Sequence, residues 1–168
     1  MKGKFYSILS ESNLETIRLG KKIGSFLKDG DVIALSGDLG SGKTWFTKGL
    51  ARGIGIESQT IISSPSFTLV NQYNGRFTLY HMDLYRLESF ADILAAGLEE
   101  YLHNEGIVVI EWADRWPETQ LHPLLKLNFT IIDEHRRGVT LTGIPSRACD
   151  IIDSIELDTD VTGKAGAL

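Results

Sequence analysis

Apolar residues along this chain change their spacing several times, and each change predicts an element. KFYSIL (4–9) predicts a short strand. Leu14, Ile17, Ile23, Phe26 and Leu27 then fall on one helical face, and Ser12 with Glu15 has the spacing of a capping box at its start. Asp29 and Gly30 close that helix and lead into DVIALS (31–36), a mostly apolar run that reads as a buried strand. TWFTKGLARGI (44–54) predicts the next helix, and Gly53 and Gly55 break its pattern. Residues 57–67 are irregular. FTLVNQY (67–73) and RFTLYHM (76–82) are strand-like and flank Asn74 and Gly75, which predicts a hairpin with a two-residue type I′ turn. ESFADILAAGLEEYL (88–102) is helical in composition, divided by Gly97. GIVVIEW (106–112) holds four consecutive apolar residues, as a strand covered on both faces would. Pro117 and Pro123 bracket a short connection, after which LLKLNFTIID (124–133) and VTLTG (139–143) predict two strands joined through an HRRG turn. From about Cys149 onward periodicity fades.

Helix, turn, strand, glycine-rich loop and helix, in that order, are the arrangement of an α/β nucleotide-binding domain. The expected fold is an α/β, three-layer P-loop NTPase-like sheet, mostly parallel with an added antiparallel hairpin, and with helices on both faces. The 168 residues suit one domain, placed at 1–147, followed by an acidic, loosely ordered C-terminal tail at 148–168.

Charge sharpens this division. The net charge is −5, of which −4 lies in 148–168, where Asp150, Asp153, Glu156, Asp158 and Asp160 face only Lys164. A near-neutral body with an acidic tail is poorly suited to gripping nucleic acid phosphates by itself, so DNA is not an expected partner. No apolar run is long enough to span a membrane, and the start lacks a signal-peptide pattern, so a cytoplasmic location is the default expectation. A single cysteine, Cys149, supplies neither a disulfide nor a metal cluster.

The candidate chemistry centres on GDLGSGKT (37–44), which has the spacing of a phosphate-binding loop. Glycines let successive backbone N–H groups turn inward toward an anion, and a helix N-terminus adds positive potential. Asp38, Leu39, Gly40, Ser41, Gly42, Lys43, Thr44 and Trp45 are the expected nucleotide-binding stretch, with Lys43 on the outer phosphates and the Thr44 hydroxyl on magnesium. Asp83 and Glu111 each end an apolar strand, at the sheet edge where α/β domains bind ligands. One would hold magnesium and the other position water, with the two roles unassigned. Ser64 and Ser66, around Pro65, form a hydroxyl-rich stretch of the kind that senses a γ-phosphate. His81 reads as a packed strand histidine rather than a general base. Trp112 and Trp116 read as packing or contact residues, and Arg86 as the partner of a carboxylate.

GDLGSGKT, SPSFTLV, HMDLYR and VIEWADR, in this order and spacing, resemble the TsaE family over about residues 5–145. The resemblance implies Mg-ATP binding and hydrolysis within the system that makes threonylcarbamoyladenosine next to the tRNA anticodon. It implies TsaD and TsaB proteins as partners, with tRNA met only through that complex. Lys43 and Thr44 match the family's nucleotide loop, Asp83 and Glu111 its acidic pair, Trp112 the aromatic after the second acid, and Ser64, Pro65 and Ser66 its switch-like segment. Ser66 stands where the family usually has threonine. The stretch after about Arg147 has no counterpart.

Other uses of such a loop fit less well. A regulatory GTPase would carry an Asn-Lys-x-Asp segment, which this chain lacks, and a small-molecule kinase would carry an arginine-bearing lid. The remaining alternative is a binding module in which nucleotide state sets partner affinity and turnover is incidental.

Overall fold

The computed structural model describes residues 3–144 and 146–158. Seven strands form one sheet in the order β1-β7-β6-β2-β5-β4-β3. Its centre, β6 (Leu125–Ile131), β2 (Val32–Gly37), β5 (Ile107–Glu111) and β4 (Thr78–Asp83), is parallel. Antiparallel strands complete both sides: β3 (Val70–Asn74) beside β4, and β7 (Arg137–Gly143) with β1 (Lys4–Ser10) beyond β6. The sequence pattern anticipated the first antiparallel edge and not the second, because β1 and β7 meet across almost the whole chain. All five residues of β5 are buried, as its unbroken apolar run requires.

Helices cover both faces. On one side α1 (Asn13–Phe26), α2 (Lys43–Gly53) and α4 (Ser146–Glu156) enclose a core that includes Leu19, Ile33, Leu50, Val109 and Ile152. On the other, the short α3 (Phe90–Ala95) and 3₁₀ turns pack over Met82, Val108 and Ile110. Gly97, at φ 69°, separates α3 from the following 3₁₀ segment, as the composition suggested.

Helix α1 begins at the predicted cap, Ser12 Oγ accepting from the Glu15 N–H at 3.2 Å, but the Glu15 carboxylate accepts from the Glu11 N–H at 2.7 Å and not from that of Ser12, so the capping box is half formed. The buried face of α1 matches in part the one the large residues suggest, since Ile23 and Leu27 are buried and Phe26 packs against the core. Thr16, Leu19, Gly20, Ile23 and Gly24 are inside, and Leu14 is exposed. Small residues win because α1 and α2 touch backbone to backbone. A Cβ on Gly20 would stand 2.2 Å from the Phe46 carbonyl oxygen, and one on Gly49 would stand 2.0 Å from that of Ile17.

Two further expectations are corrected. The β3–β4 hairpin forms, but Asn74 pairs with Thr78, so the connection is the three residues 75–77 and not a two-residue type I′ turn. Neither Asn74 nor Gly75 has the positive φ that turn needs. Tertiary docking overrides the dipeptide preference: the Arg76 N–H donates to the Ile54 carbonyl at 2.9 Å, and a Cβ on Gly75 would meet Ile56 Cγ1 at 2.9 Å.

The first part of the expected loose tail is helical and docked. Ala148, Ile151, Ile152 and Ile155 recur at helical spacing and are buried in α4. The acidic residues face outward, where Glu156 pairs with Lys4 at 2.9 Å, and Asp153 also bonds Lys4. Arg147 clamps the start of the helix to Asp31, with Nη1 on Oδ1 at 2.7 Å. The domain therefore runs through α4. The remainder of that tail, 159–168, lies outside the described residues. Among the described residues no helix is long and apolar enough to cross a membrane.

Candidate functional site

The parallel strands deliver three segments to one edge of the sheet. The glycine-rich loop follows β2, Glu111 ends β5, and Asp83 ends β4 opposite Glu111 in register. Because side chains alternate along a strand, Leu79, His81 and Asp83 share the face of Val109 and Glu111, which is the face carrying α2. The carboxylates therefore stand beside the start of that helix.

Gly37, Gly40 and Gly42 have φ of 133°, 76° and 105°, so the loop follows a path that L side chains resist. Gly37 has a second reason to be glycine, since a Cβ there would lie 2.4 Å from the Phe129 carbonyl oxygen. Lys43 is buried and folds back over the loop, donating to the Gly37 carbonyl at 2.6 Å and the Asp38 carbonyl at 2.9 Å. Its Nζ also lies 4.2 Å from the centre of the Trp112 ring. Burial pushes the Lys43 ammonium below the ordinary lysine range, opposed by the charges of Glu111, Asp83, Asp114 and Asp38.

Thr44 Oγ1 donates to Glu111, lying 3.0 Å from Oε1 and 3.1 Å from Oε2. Glu111 Oε1 is also 2.8 Å from His81 Nε2. Asp83 accepts from Ser64 Oγ and from the Tyr85 N–H, the latter at 2.8 Å. The loop lysine and threonine, both carboxylates, Trp112 and Ser64 are thus brought together, as their sequence positions suggested. Trp112 adopts the left-handed backbone at φ 59°, a conformation costly for a bulky residue, which turns its ring over Lys43 and against Tyr85, centroids 5.0 Å apart.

Other expected residues stand apart. Asp38, Leu39 and Gly40 are exposed at the loop tip, and Ser41 is buried beneath it. Trp45 is exposed on the first turn of α2, under Lys48 at 4.0 Å. Ser66 makes no side-chain hydrogen bond among the described residues. Arg86 stacks on the Phe67 ring at 4.1 Å, a correction to the expected carboxylate pairing. Trp116 is buried in the second core, packed near Phe90.

Two residues escaped sequence reasoning. His81 bonds Glu111 and is not merely packed; its place two residues before Asp83 on the same strand face was the available signal. Arg137, from the HRRG turn, donates through Nη2 to the Gly40 carbonyl at 3.2 Å, a contact between residues far apart in sequence.

Comparison with known proteins identifies the arrangement. Residues 10–139 match the family described as "Threonylcarbamoyl adenosine biosynthesis protein TsaE". The chain belongs to the TsaE family. It is 42% identical over 134 residues to the tRNA threonylcarbamoyladenosine biosynthesis protein TsaE of Bacillus subtilis, covering 79% of this chain and 82% of that one. The protein of the same name from Treponema pallidum is 40% identical over 133 residues, covering 79% and 97%. A crystal structure of Bacillus subtilis YdiB superposes with a TM-score of 0.74 at 36% identity, covering 92% of this chain and 95% of that one. The TsaE match ends at residue 139, so α4 lies beyond it.

Proposed function

We propose that this protein binds and hydrolyses Mg-ATP in the formation of threonylcarbamoyladenosine on tRNA, in service of TsaD and TsaB partners. The observation that carries this reading is the convergence of Lys43, Thr44, Glu111 and Asp83 at one sheet edge. Family membership supplies the pathway, and the donors gathered at the site support the proposed chemistry.

A hydroxyl and two carboxylates are hard oxygen donors of the kind magnesium takes. Among the described residues no group of three or more His, Cys, Asp or Glu side chains is placed to hold a metal alone. That suits magnesium, which is usually held by one or two protein oxygens and the substrate's own phosphates. Thr44 and Glu111, already bonded to each other, would hold it, and the ion would draw charge from the β- and γ-phosphate oxygens. Lys43 would leave the loop carbonyls for the phosphates, and loop N–H groups would stabilise the charge that develops. Asp83 would orient the attacking water, with Ser64 sensing the γ-phosphate through it.

Among the described residues, Arg137 donates to Gly40, Arg115 to Leu87, and Arg86 stacks on Phe67. An arginine supplied in trans accelerates such reactions about 10³–10⁵-fold. Turnover is therefore expected to be weak alone and stimulated by TsaD and TsaB. The test is a reconstituted pathway in which ATP consumed per tRNA modified is measured. Lys43→Ala should abolish both hydrolysis and modification; full modification by that variant would overturn the proposal. Asp83→Ala and Glu111→Ala that keep nucleotide binding and partner docking but lose tRNA modification would exclude a binding module with incidental turnover.

A further inference from the structure

We propose that His81 is a positioning residue whose Nε2–H holds the Glu111 carboxylate in its working orientation. This assignment rests on the reading of Glu111 as part of an ATP-hydrolysing site.

The geometry is specific. His81 is fully buried in β4, and its Nε2 lies 2.8 Å from Glu111 Oε1. Its other ring nitrogen, Nδ1, is buried without a hydrogen-bond partner among the described residues. A nitrogen facing a carboxylate oxygen serves as donor, and a bare ring nitrogen is better left unpartnered than an N–H. The Nε2–Glu111 contact together with the unpartnered Nδ1 supports an Nε2–H aimed at that one acceptor.

Glu111 has a second donor, the Thr44 hydroxyl. With magnesium bound, the Thr44 oxygen would turn a lone pair to the ion, which would re-aim the O–H that Glu111 accepts. His81 comes from a different strand and takes no part in that exchange. It would hold Glu111 in both states, so the carboxylate need not be re-ordered in each turnover. Hydrogen-bond partners that orient metal-site residues typically change activity or metal affinity about 10–100-fold when removed.

The test uses the full chain. Long-range ¹H–¹⁵N spectra of the nucleotide-free protein should show His81 protonated at Nε2 and bare at Nδ1; the reverse tautomer would overturn the assignment. With TsaD and TsaB present, His81→Leu should lower kcat about 10–100-fold while KM for ATP and the affinity for ADP without magnesium stay within about twofold. His81→Gln, which can present an N–H near the same place, should recover most of the loss. In a Glu111→Gln background, His81→Leu should add little, because the histidine acts only through the acid. Wild-type turnover by His81→Leu, no recovery by His81→Gln, or a full further loss in the Glu111→Gln background would each overturn it. If Leu fails to fold, the Gln variant and the tautomer still decide. Lys43→Ala separates the two readings. If it stays active, the ATP site itself is wrong and both fall; if it is dead while His81→Leu turns over normally, only the role of His81 falls.

Discussion

Thr44 Oγ1 lies almost equidistant from the two carboxylate oxygens of Glu111, at 3.0 and 3.1 Å, joining the first turn of α2 to the end of β5. A buried carboxylate needs such donors, and here they come from the loop helix and from His81. The apolar strand fixes where the acid emerges, and the loop fixes what it faces. Glu111→Gln retains the shape and loses the charge. Neutralising a carboxylate that holds magnesium should weaken the metal's hold and lower hydrolysis by about 10–100-fold or more, with affinity for metal-free nucleotide changed only a few-fold. Single-turnover assays alongside nucleotide titration would check this; hydrolysis within threefold of wild type would remove Glu111 from the chemistry.

The contact between α1 and α2 carries a stability prediction. Gly49 fits because the Ile17 carbonyl oxygen would stand 2.0 Å from any Cβ there, and backbone cannot rotate away as a side chain can. Gly49→Ala removes a glycine from a helix, which ordinarily stabilises. Here it should destabilise, by about 1–3 kcal/mol for an overpacked site. For a domain of this size that is a fall in Tm of roughly 2–12 °C. Thermal unfolding followed by circular dichroism gives the answer, and an unchanged or raised Tm would show that the helices can separate at little cost.

The β6–β7 turn should respond to acid. The Arg136 backbone N–H, its guanidinium and the His135 N–H all bond Asp133, holding its carboxyl down at about 2 from an ordinary 3.8. A carboxyl depressed on folding adds stability above its unfolded value and loses it as pH falls through the folded one. The wild-type advantage over Asp133→Asn should therefore be complete above 3.8 and shrink as pH falls toward about 2. Denaturant unfolding of both proteins across that window measures the gap. A gap independent of pH would mean that these bonds do not favour the ionised carboxyl.

What could be read from the sequence was what depends on neighbours along the chain. The phosphate loop is a local spacing, and so is an acid placed at the end of an apolar run. Strand β4 brought Asp83 to the edge as the hairpin pattern required, although its turn answered to Ile54 and Ile56 instead of to Asn74 and Gly75. Features that depend on distant partners were misread. Gly53 read as a break in the helical pattern and proved to lie against α1, where a Cβ would stand 2.3 Å from the Lys21 carbonyl oxygen. The isoleucines of α4 had helical spacing, but abundant acidic residues masked it until β1 and α1 supplied something to pack against. His81 could not be distinguished from a packed histidine without knowing that Glu111 lies across from it.

Ser64 and Ser66 flank the same proline and invited the same role, but only Ser64 reaches a carboxylate. Its hydroxyl donates to Asp83, whose other oxygen accepts the Tyr85 N–H at 2.8 Å. Asp83 is buried, so losing a donor leaves the acid partly unsatisfied and free to turn. If Asp83 orients water, that disorder appears in turnover before it appears in binding. Ser64→Ala should lower kcat about tenfold or more, as one misplaced positioning group can, with ATP affinity little changed. Ser66→Ala, lacking any such contact, should stay within about twofold of wild type in both. Steady-state kinetics with TsaD and TsaB, paired with nucleotide titration, compares the two directly. Equal losses would show that the whole segment rearranges around nucleotide; a loss confined to Ser66→Ala would assign sensing to the other side of Pro65.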